Sequence, residues 1–294
     1  MTAGLLLIDK PAGLTSHDVV AAVRKRFGSK VGHAGTLDPM ATGLMLLGVG
    51  AATRILQFLV GLDKSYEATV RLGWATDSDD ATGERIEVDG SVALPAVQEI
   101  DAVLQQLSGE HDQLPSRFSA KKVAGKRAYA MARAGEEFEL KPSRVTISKI
   151  ERTGELRRSA DALDFDIRVD CSSGTYIRAI ARDLGNALGC GGHLTALRRT
   201  RIGNFNIEAA VAPEVVSLIP LANALRLLFT TVTLTDQQRE DARHGRALGA
   251  SLAAQVPTAI GVLAALDKQG APVCILERNP QGWQPKIVFA EESA

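Results

Sequence analysis

Cysteine is scarce and scattered in this chain. Cys171, Cys190 and Cys274 are odd in number, lie far apart and include no Cys-x-x-Cys pair. That argues against a disulfide framework and a cysteine-built zinc site, and it fits a reducing cytoplasm. Long apolar runs are missing too: nothing approaches the roughly 20 residues of a membrane span. The N-terminus has only Leu5-Leu6-Leu7-Ile8 and then Asp9-Lys10, without the basic start and longer apolar core of a signal peptide, so the expectation is a cytoplasmic protein with no membrane partner. Aromatics make up only 4% of the residues, so the cores must be aliphatic, and each of the three tyrosines is conspicuous wherever it is not core. Neither a dinucleotide fingerprint nor a phosphate loop is present, and no nucleotide cofactor is expected. The formal net charge is zero, which leaves no overall basic field to attract a nucleic acid.

Distribution says more than the sum. Between Leu114 and Gly135 stand Arg117, Lys121, Lys122, Lys126, Arg127 and Arg133 with no acidic residue, and a second cluster reads Arg198-Arg199-Thr200-Arg201. Both could track phosphates. Phe118 and Tyr129 are interleaved in the first cluster, and rings beside cations offer stacking surfaces for RNA bases. Acids are segregated at Asp77 to Asp80, Glu136 to Glu139, Asp161 to Asp170 and Glu291-Glu292. Asp77, Asp79 and Asp80 could hold Mg²⁺ in a hydrolase, but three acids in a polar turn are commonly just solvated, and no second ligand cluster accompanies them.

At 294 residues, with 45% apolar and 23% charged content, the chain suits one large domain or a large one plus a small one. Strands and helices alternate without a repeat. Leu5 to Ile8 reads as a strand, followed by a helix capped by Ser16 with Val19, Val20, Val23 and Phe27 on one face. Thr53 to Leu62 is expected to be helical. A strand begins at Tyr66, with Tyr66, Ala68, Val70 and Leu72 alternating against polar neighbours. A helix starts at Pro95 and ends near Gly109. Leu163, Phe165, Ile167, Val169 and Cys171 give a second strand with one wet face. Ser173 or Thr175 could then cap a helix whose stripe is Ile177, Ile180, Ala181, Leu184 and Leu188. Leu221 to Phe229 reads as a short apolar helix, and the last strands are Ile260 to Leu266, Val273 to Leu276 and Trp283 to Phe289.

Two places suggest chemistry. In Gly32-His33-Ala34-Gly35-Thr36-Leu37-Asp38-Pro39-Met40-Ala41-Thr42-Gly43 a carboxylate stands in a glycine-rich loop. The glycines let backbone approach another molecule closely, and Pro39 holds Asp38 out of helical geometry. An Asp-Pro pair alone is an ordinary turn. The second place is Arg178 in the first turn of a helix, where a cation opposes the macrodipole and is better explained by a carboxylate partner elsewhere.

These motifs resemble the bacterial tRNA pseudouridine synthases of the TruB type. The likeness rests on the glycine loop and on Asp9-Lys10-Pro11-Ala12-Gly13-Leu14-Thr15-Ser16, Asp63-Lys64-Ser65-Tyr66, Arg71-Leu72-Gly73 with Thr76-Asp77-Ser78-Asp79-Asp80, and Ser172-Ser173-Gly174-Thr175-Tyr176-Ile177-Arg178. It implies an α+β fold with a mixed, largely antiparallel sheet and a central cleft, in a catalytic domain over residues 1–229. A basic RNA-binding insertion at 114–140 and a small PUA-like RNA-binding domain over 230–294 would complete the chain. The implied reaction is isomerisation of uridine-55 in the tRNA T-loop by a monomer that uses no metal or other cofactor. Asp38 would be the catalytic aspartate, paired with Arg178, and Tyr66 and Tyr176 would line the uracil pocket. Leu197 would contact the substrate and His33 the T-loop, while Asp80 would belong to the pocket's polar surroundings and Lys121, Lys122, Lys126 and Arg127 to the RNA-binding insertion. The rival is a non-catalytic RNA-binding protein or tRNA chaperone. It would explain the basic insertion but not the set Asp38, Tyr66, Tyr176 and Arg178.

Overall fold

The computed structural model describes residues 3–86, 93–119, 121–123, 125–215, 217–248, 252, 256–257, 259–280 and 282–290. Glu291-Glu292, and Ala120 and Ala124 of the basic segment, lie outside them. The chain is α+β. A ten-stranded sheet runs in the order Leu218–Pro220, Gly4–Lys10, Thr42–Val49, Gly192–Ile202, Lys64–Leu72, Leu163–Cys171, Ser143–Arg158, Gly109–Gln113, with Val31–His33 and Phe205–Asn206 paired beside this path. Every pairing is antiparallel except one in the middle. There Thr42–Val49 and Gly192–Ile202 run parallel over only two residue pairs, Arg198 with Thr42 and Arg199 with Gly43. Gly43 has φ 106°, and a Cβ on it would meet the Arg199 carbonyl oxygen at 2.3 Å, so this junction requires glycine.

The two faces of the sheet explain the sequence patterns. Leu6, Ile8, Met45, Leu47, Ala68, Val70, Phe165 and Ile167 join one core. Into it pack the buried faces of helices Ser16–Phe27, Val97–Gln106 and Ile177–Ala187. Leu5, Leu7, Leu44 and Leu46 point the other way into a second core shared with Ala264, Ile275 and Ile287. Covered on both sides, these strands are continuous apolar runs. The strands further along keep a wet face, where Asp164 sits opposite Arg71 in register with a bridge of 2.6 Å and Thr69 donates to Asp166 at 2.7 Å.

Thr230–Thr233, Val262–Leu266, Pro272–Asn279 and Gly282–Val288 form a separate four-stranded sheet. Its own small core surrounds the fully buried Trp283.

Several local expectations need correction. Thr15, not Ser16, caps the first helix, accepting from the Asp18 amide at 3.1 Å. The stretch from Thr53 to Leu62 is broken into a 3₁₀ turn, Gly50–Arg54, and one helical turn, Gln57–Val60. The Tyr66 strand begins two residues earlier, at Lys64.

Candidate active site

The Asp38 loop is pinned on both flanks by groups distant in sequence. Ser16 Oγ donates to the Leu37 carbonyl at 3.0 Å and accepts from the Leu37 amide at 2.9 Å. Lys10 Nζ donates to the carbonyls of Leu14 at 2.8 Å and Pro39 at 3.2 Å. The Asp9 to Ser16 motif is therefore a clamp on the loop, a role its composition did not disclose. On the other flank the Arg199 guanidinium donates to the carbonyls of Gly35 and Thr36 at 3.3 and 3.4 Å.

Arg178 is found against Asp38. Its Nη2 donates to Asp38 Oδ1 at 3.1 Å, and its Nε lies 2.9 Å from Oδ2 but off the N–H axis. The same guanidinium donates to Asp80 Oδ2 at 3.3 Å, to the carbonyls of Ser78 and Phe118 at 2.9 Å each, and to Ser116 Oγ at 3.3 Å. Arg178 and Asp80 side chains are 4% and 5% exposed, whereas that of Asp38 is 33% exposed. Asp80 is thus a buried anchor for Arg178, and Asp38 is the carboxylate that faces solvent. Two carboxylates and the neutral oxygens beside them fix the plane of this one guanidinium, as bidentate arginine sites do.

The helix carrying Arg178 starts without a capping hydroxyl of its own. Neither Ser173 nor Thr175 caps it. Tyr176 holds the N-cap position, and its amide donates to Gln113 Oε1 at 2.8 Å, a partner supplied from 63 residues away.

Asp38 opens on a cavity of about 220 Å³ lined by Gly35, Thr36, Lys64, Tyr66, Ser119, Thr175, Tyr176, Arg178, Leu197 and Arg199, among others. That is smaller than a typical small-molecule site of about 300–1,000 Å³ and suits a single base. It sits at the parallel junction of the sheet: Tyr66 is in register with Arg199, which in turn faces Gly43. Burial, first of all, pushes the Tyr66 and Tyr176 phenols above their ordinary range. Lys64 was not foreseen as a lining residue. The available signal was its position two residues before Tyr66, on the inward face of the strand.

His33 does not line this cavity. It is half-buried, packs edge-on against His17 at 5.9 Å between ring centroids, and burial lowers its pKa. The cluster Arg198-Arg199-Thr200-Arg201 is not a phosphate track. Arg199 is 1% exposed and spent on backbone carbonyls, Arg198 pairs with Asp9 at 2.7 Å, and Arg201 bonds Ser65 at 2.8 Å. The three acids of the polar turn diverge: Asp77 accepts from the Glu84 amide, Asp79 pairs with Arg182, and Asp80 pairs with Arg178.

In the basic segment Lys122–Val123 and Lys126–Arg127 pair as a small hairpin ahead of helix Ala128–Arg133. Lys122 and Arg127 are exposed, Lys126 pairs with Glu136 at 3.1 Å, and Lys121 donates to the Lys141 carbonyl at 2.8 Å.

The family model of the TruB pseudouridylate synthase N-terminal domain matches residues 24–177, and that of the tRNA pseudouridylate synthase B C-terminal domain matches 178–226. The chain belongs to the TruB family. A tRNA pseudouridine synthase B of Leifsonia xyli subsp. xyli is 53% identical over 253 residues, 84% of this chain and 83% of that one. One of Mycobacterium sp. (strain KMS) is 46% identical over 97% of this chain and 96% of its own. A TruB-family chain is an isomerase, so the cavity at the sheet junction belongs to an enzyme. The fold is shared with a chain in the crystal structure of a Cbf5-Nop10-Gar1 complex, at TM-score 0.68 and 22% identity over 97% of this chain and 84% of that one. Among the described residues, no helix of this TruB-family chain is long and apolar enough to cross a membrane.

Proposed function

We propose that the protein converts uridine-55 of the tRNA T-loop to pseudouridine, taking the flipped base into the Asp38 cavity. The observation that carries this is the Asp38–Arg178 pair, a carboxylate held by a buried guanidinium at the mouth of a base-sized cavity. Pseudouridine formation breaks the N1 to C1′ bond, turns the uracil, joins C5 to C1′ and removes the C5 proton. Atoms are conserved and no electrons enter or leave, so no redox cofactor is called for. The first step needs an ionised carboxylate, whether it attacks C6, attacks C1′ or abstracts a sugar proton, and Arg178 supplies the countercharge that a closed pocket would otherwise deny it.

Flipping a stacked base costs a few kcal/mol, and stacking on an aromatic ring returns about 1–3 kcal/mol. Tyr66 is the ring proposed for this, with Tyr176 and Leu197 as further pocket contacts and Asp80 holding Arg178. His33, near the exposed Arg127 of the basic hairpin, is proposed to meet the T-loop. Lys121, Lys122, Lys126 and Arg127 of the 114–140 insertion are proposed to track its phosphates. Residues 1–229 would form the catalytic domain. Residues 230–294, with their separate sheet, would be a PUA-like domain that holds the acceptor region, and the protein would act as a cytoplasmic monomer.

The test is incubation with an unmodified tRNA transcript in chelator, for the wild type and Asp38→Asn. The wild type should form pseudouridine at position 55. The variant should form none while binding tRNA within about tenfold, or roughly 1.4 kcal/mol. Multiple turnover by Asp38→Asn would refute the assignment, and a wild type that binds tRNA but leaves its bases unchanged would leave the chaperone.

A further inference from the structure

Three buried cations lie around the Asp38 loop with only backbone carbonyls as close partners. Lys10, fully buried, donates to Pro11, Leu14 and Pro39. Lys64, 5% exposed, donates to Leu62 at 2.5 Å and Val60 at 3.1 Å. Arg199 donates to Leu44 at 2.7 Å and to Gly35 and Thr36. Among the described residues none of the three has a carboxylate within ion-pair distance, although Asp38 and Asp18 act on Lys10 from farther away, as Asp63 acts on Lys64. Arg178, by contrast, holds two carboxylates. Buried charge without a counterion is costly, and burial lowers both lysines to about 8. Lys64 and Arg199 line the same cavity as Asp38, and Arg199 is in register with Tyr66 on the neighbouring strand. One wall of the cavity thus carries a compensated ion pair and another carries two cations awaiting an anion.

We propose that Lys64 and Arg199 hold the negative charge that appears on the uracil ring when its glycosidic bond breaks. This rests on the pseudouridine reading. The C1′–N1 electron pair leaves with N1, giving a uracil monoanion spread over N1, O2 and O4 and an electron-poor sugar carbon at which Asp38 acts. After the ring turns, C5 gives an electron pair to C1′, the C5–C1′ bond forms and leaves the base neutral, and the C5 proton is then lost to a base while N1 takes up a proton. The anion exists only between these bond changes, so cations placed for it lower the barrier and add little to ground-state binding. A backbone phosphate is the other anion the pair could hold, and it would act on affinity instead.

Single-turnover rates of N1–C1′ bond cleavage by wild type, Lys64→Gln and Lys64→Arg on transcripts carrying uridine or 5-fluorouridine at the target separate these cases, cleavage being the step both bases share because 5-fluorouridine has no C5 proton to lose. 5-Fluorouracil is the weaker base and the better leaving group. Lys64→Gln should lose about 10²-fold on uridine, the scale for removing one charge-stabilising donor, but no more than about tenfold on 5-fluorouridine, with tRNA affinity within about threefold of wild type. Lys64→Arg should recover to within about tenfold of wild type. Lys64→Met replaces Lys64→Gln if melting shows that the latter does not fold, and it must show the same dependence on the base. Equal slowing on both bases, no slowing at all, or a loss confined to affinity with a reduced salt slope would each overturn the proposal. A wild type that makes no pseudouridine would instead overturn the reading beneath it.

Discussion

Lys64→Met should remove a distinctive alkaline rise in stability. Desolvation, reinforced by the nearby Arg199 charge, lowers the Lys64 ammonium from 10.5 to about 8 in the folded protein. Below pH 8 the group is charged in both states and the cost of burying it is constant. Between 8 and 10.5 the unfolded chain binds a proton that the folded one has released, so stability rises with pH. The slope approaches about 1.4 kcal/mol per unit and sums to about 3 kcal/mol across the window. Lys10, lowered to about 8 for the same first reason, gives a second rise of the same sign that the variant retains. Methionine keeps most of the stem and drops the charge, so its effect is read as a difference. Urea unfolding of wild type and Lys64→Met at pH 7.5, 8.5, 9.5 and 10.5 should show the wild type gaining about 3 kcal/mol on the variant over the series. A difference that stays flat, or that narrows with pH, would mean Lys64 keeps an ordinary ammonium and would remove the case for buried, uncompensated charge in the cavity wall.

Tyr66→Phe should bind tRNA nearly normally yet turn over very slowly if the hydroxyl takes part in proton transfer, and Tyr66→Ala should also lose the stacking contribution of about 1–3 kcal/mol in affinity. Single-turnover rates and melting curves decide this, since a merely packed Tyr66 would make Phe nearly silent and Ala a cavity defect. Replacing Lys121, Lys122, Lys126 and Arg127 with Ala should flatten the salt dependence of tRNA binding, by about 0.7 to 0.9 in log–log slope for each phosphate that is no longer neutralised. An unchanged slope would make the hairpin a solvated face. Ser16→Ala leaves the Leu37 amide and carbonyl without their buried partner. It should cost about 1–3 kcal/mol of stability and slow turnover more than it weakens tRNA affinity. Stability loss with an unaltered rate would show that the loop does not need the clamp.

Local periodicity carried the sequence far. The Leu163–Cys171 strand and the helix face of Val19, Val20 and Val23 are written in alternations that need no knowledge of distant neighbours. The isolation of Asp38 among glycines is equally local, and so is the misfit of Arg178 with its helix dipole. The residues alone stated only that Arg178 wants a carboxylate. That it meets Asp38, 140 positions away, and Asp80, 98 positions away, is set by how the sheet is ordered. The same holds for the hydrogen bond that Gln113 lends to Tyr176, and for Arg199, which looks like one of three surface arginines until the central parallel junction buries it beneath Gly35. Composition distinguishes a cation from an apolar residue, but only the tertiary structure decides whether water, a carboxylate or a backbone carbonyl faces it, because burial and partnership are properties of segments far apart in the chain.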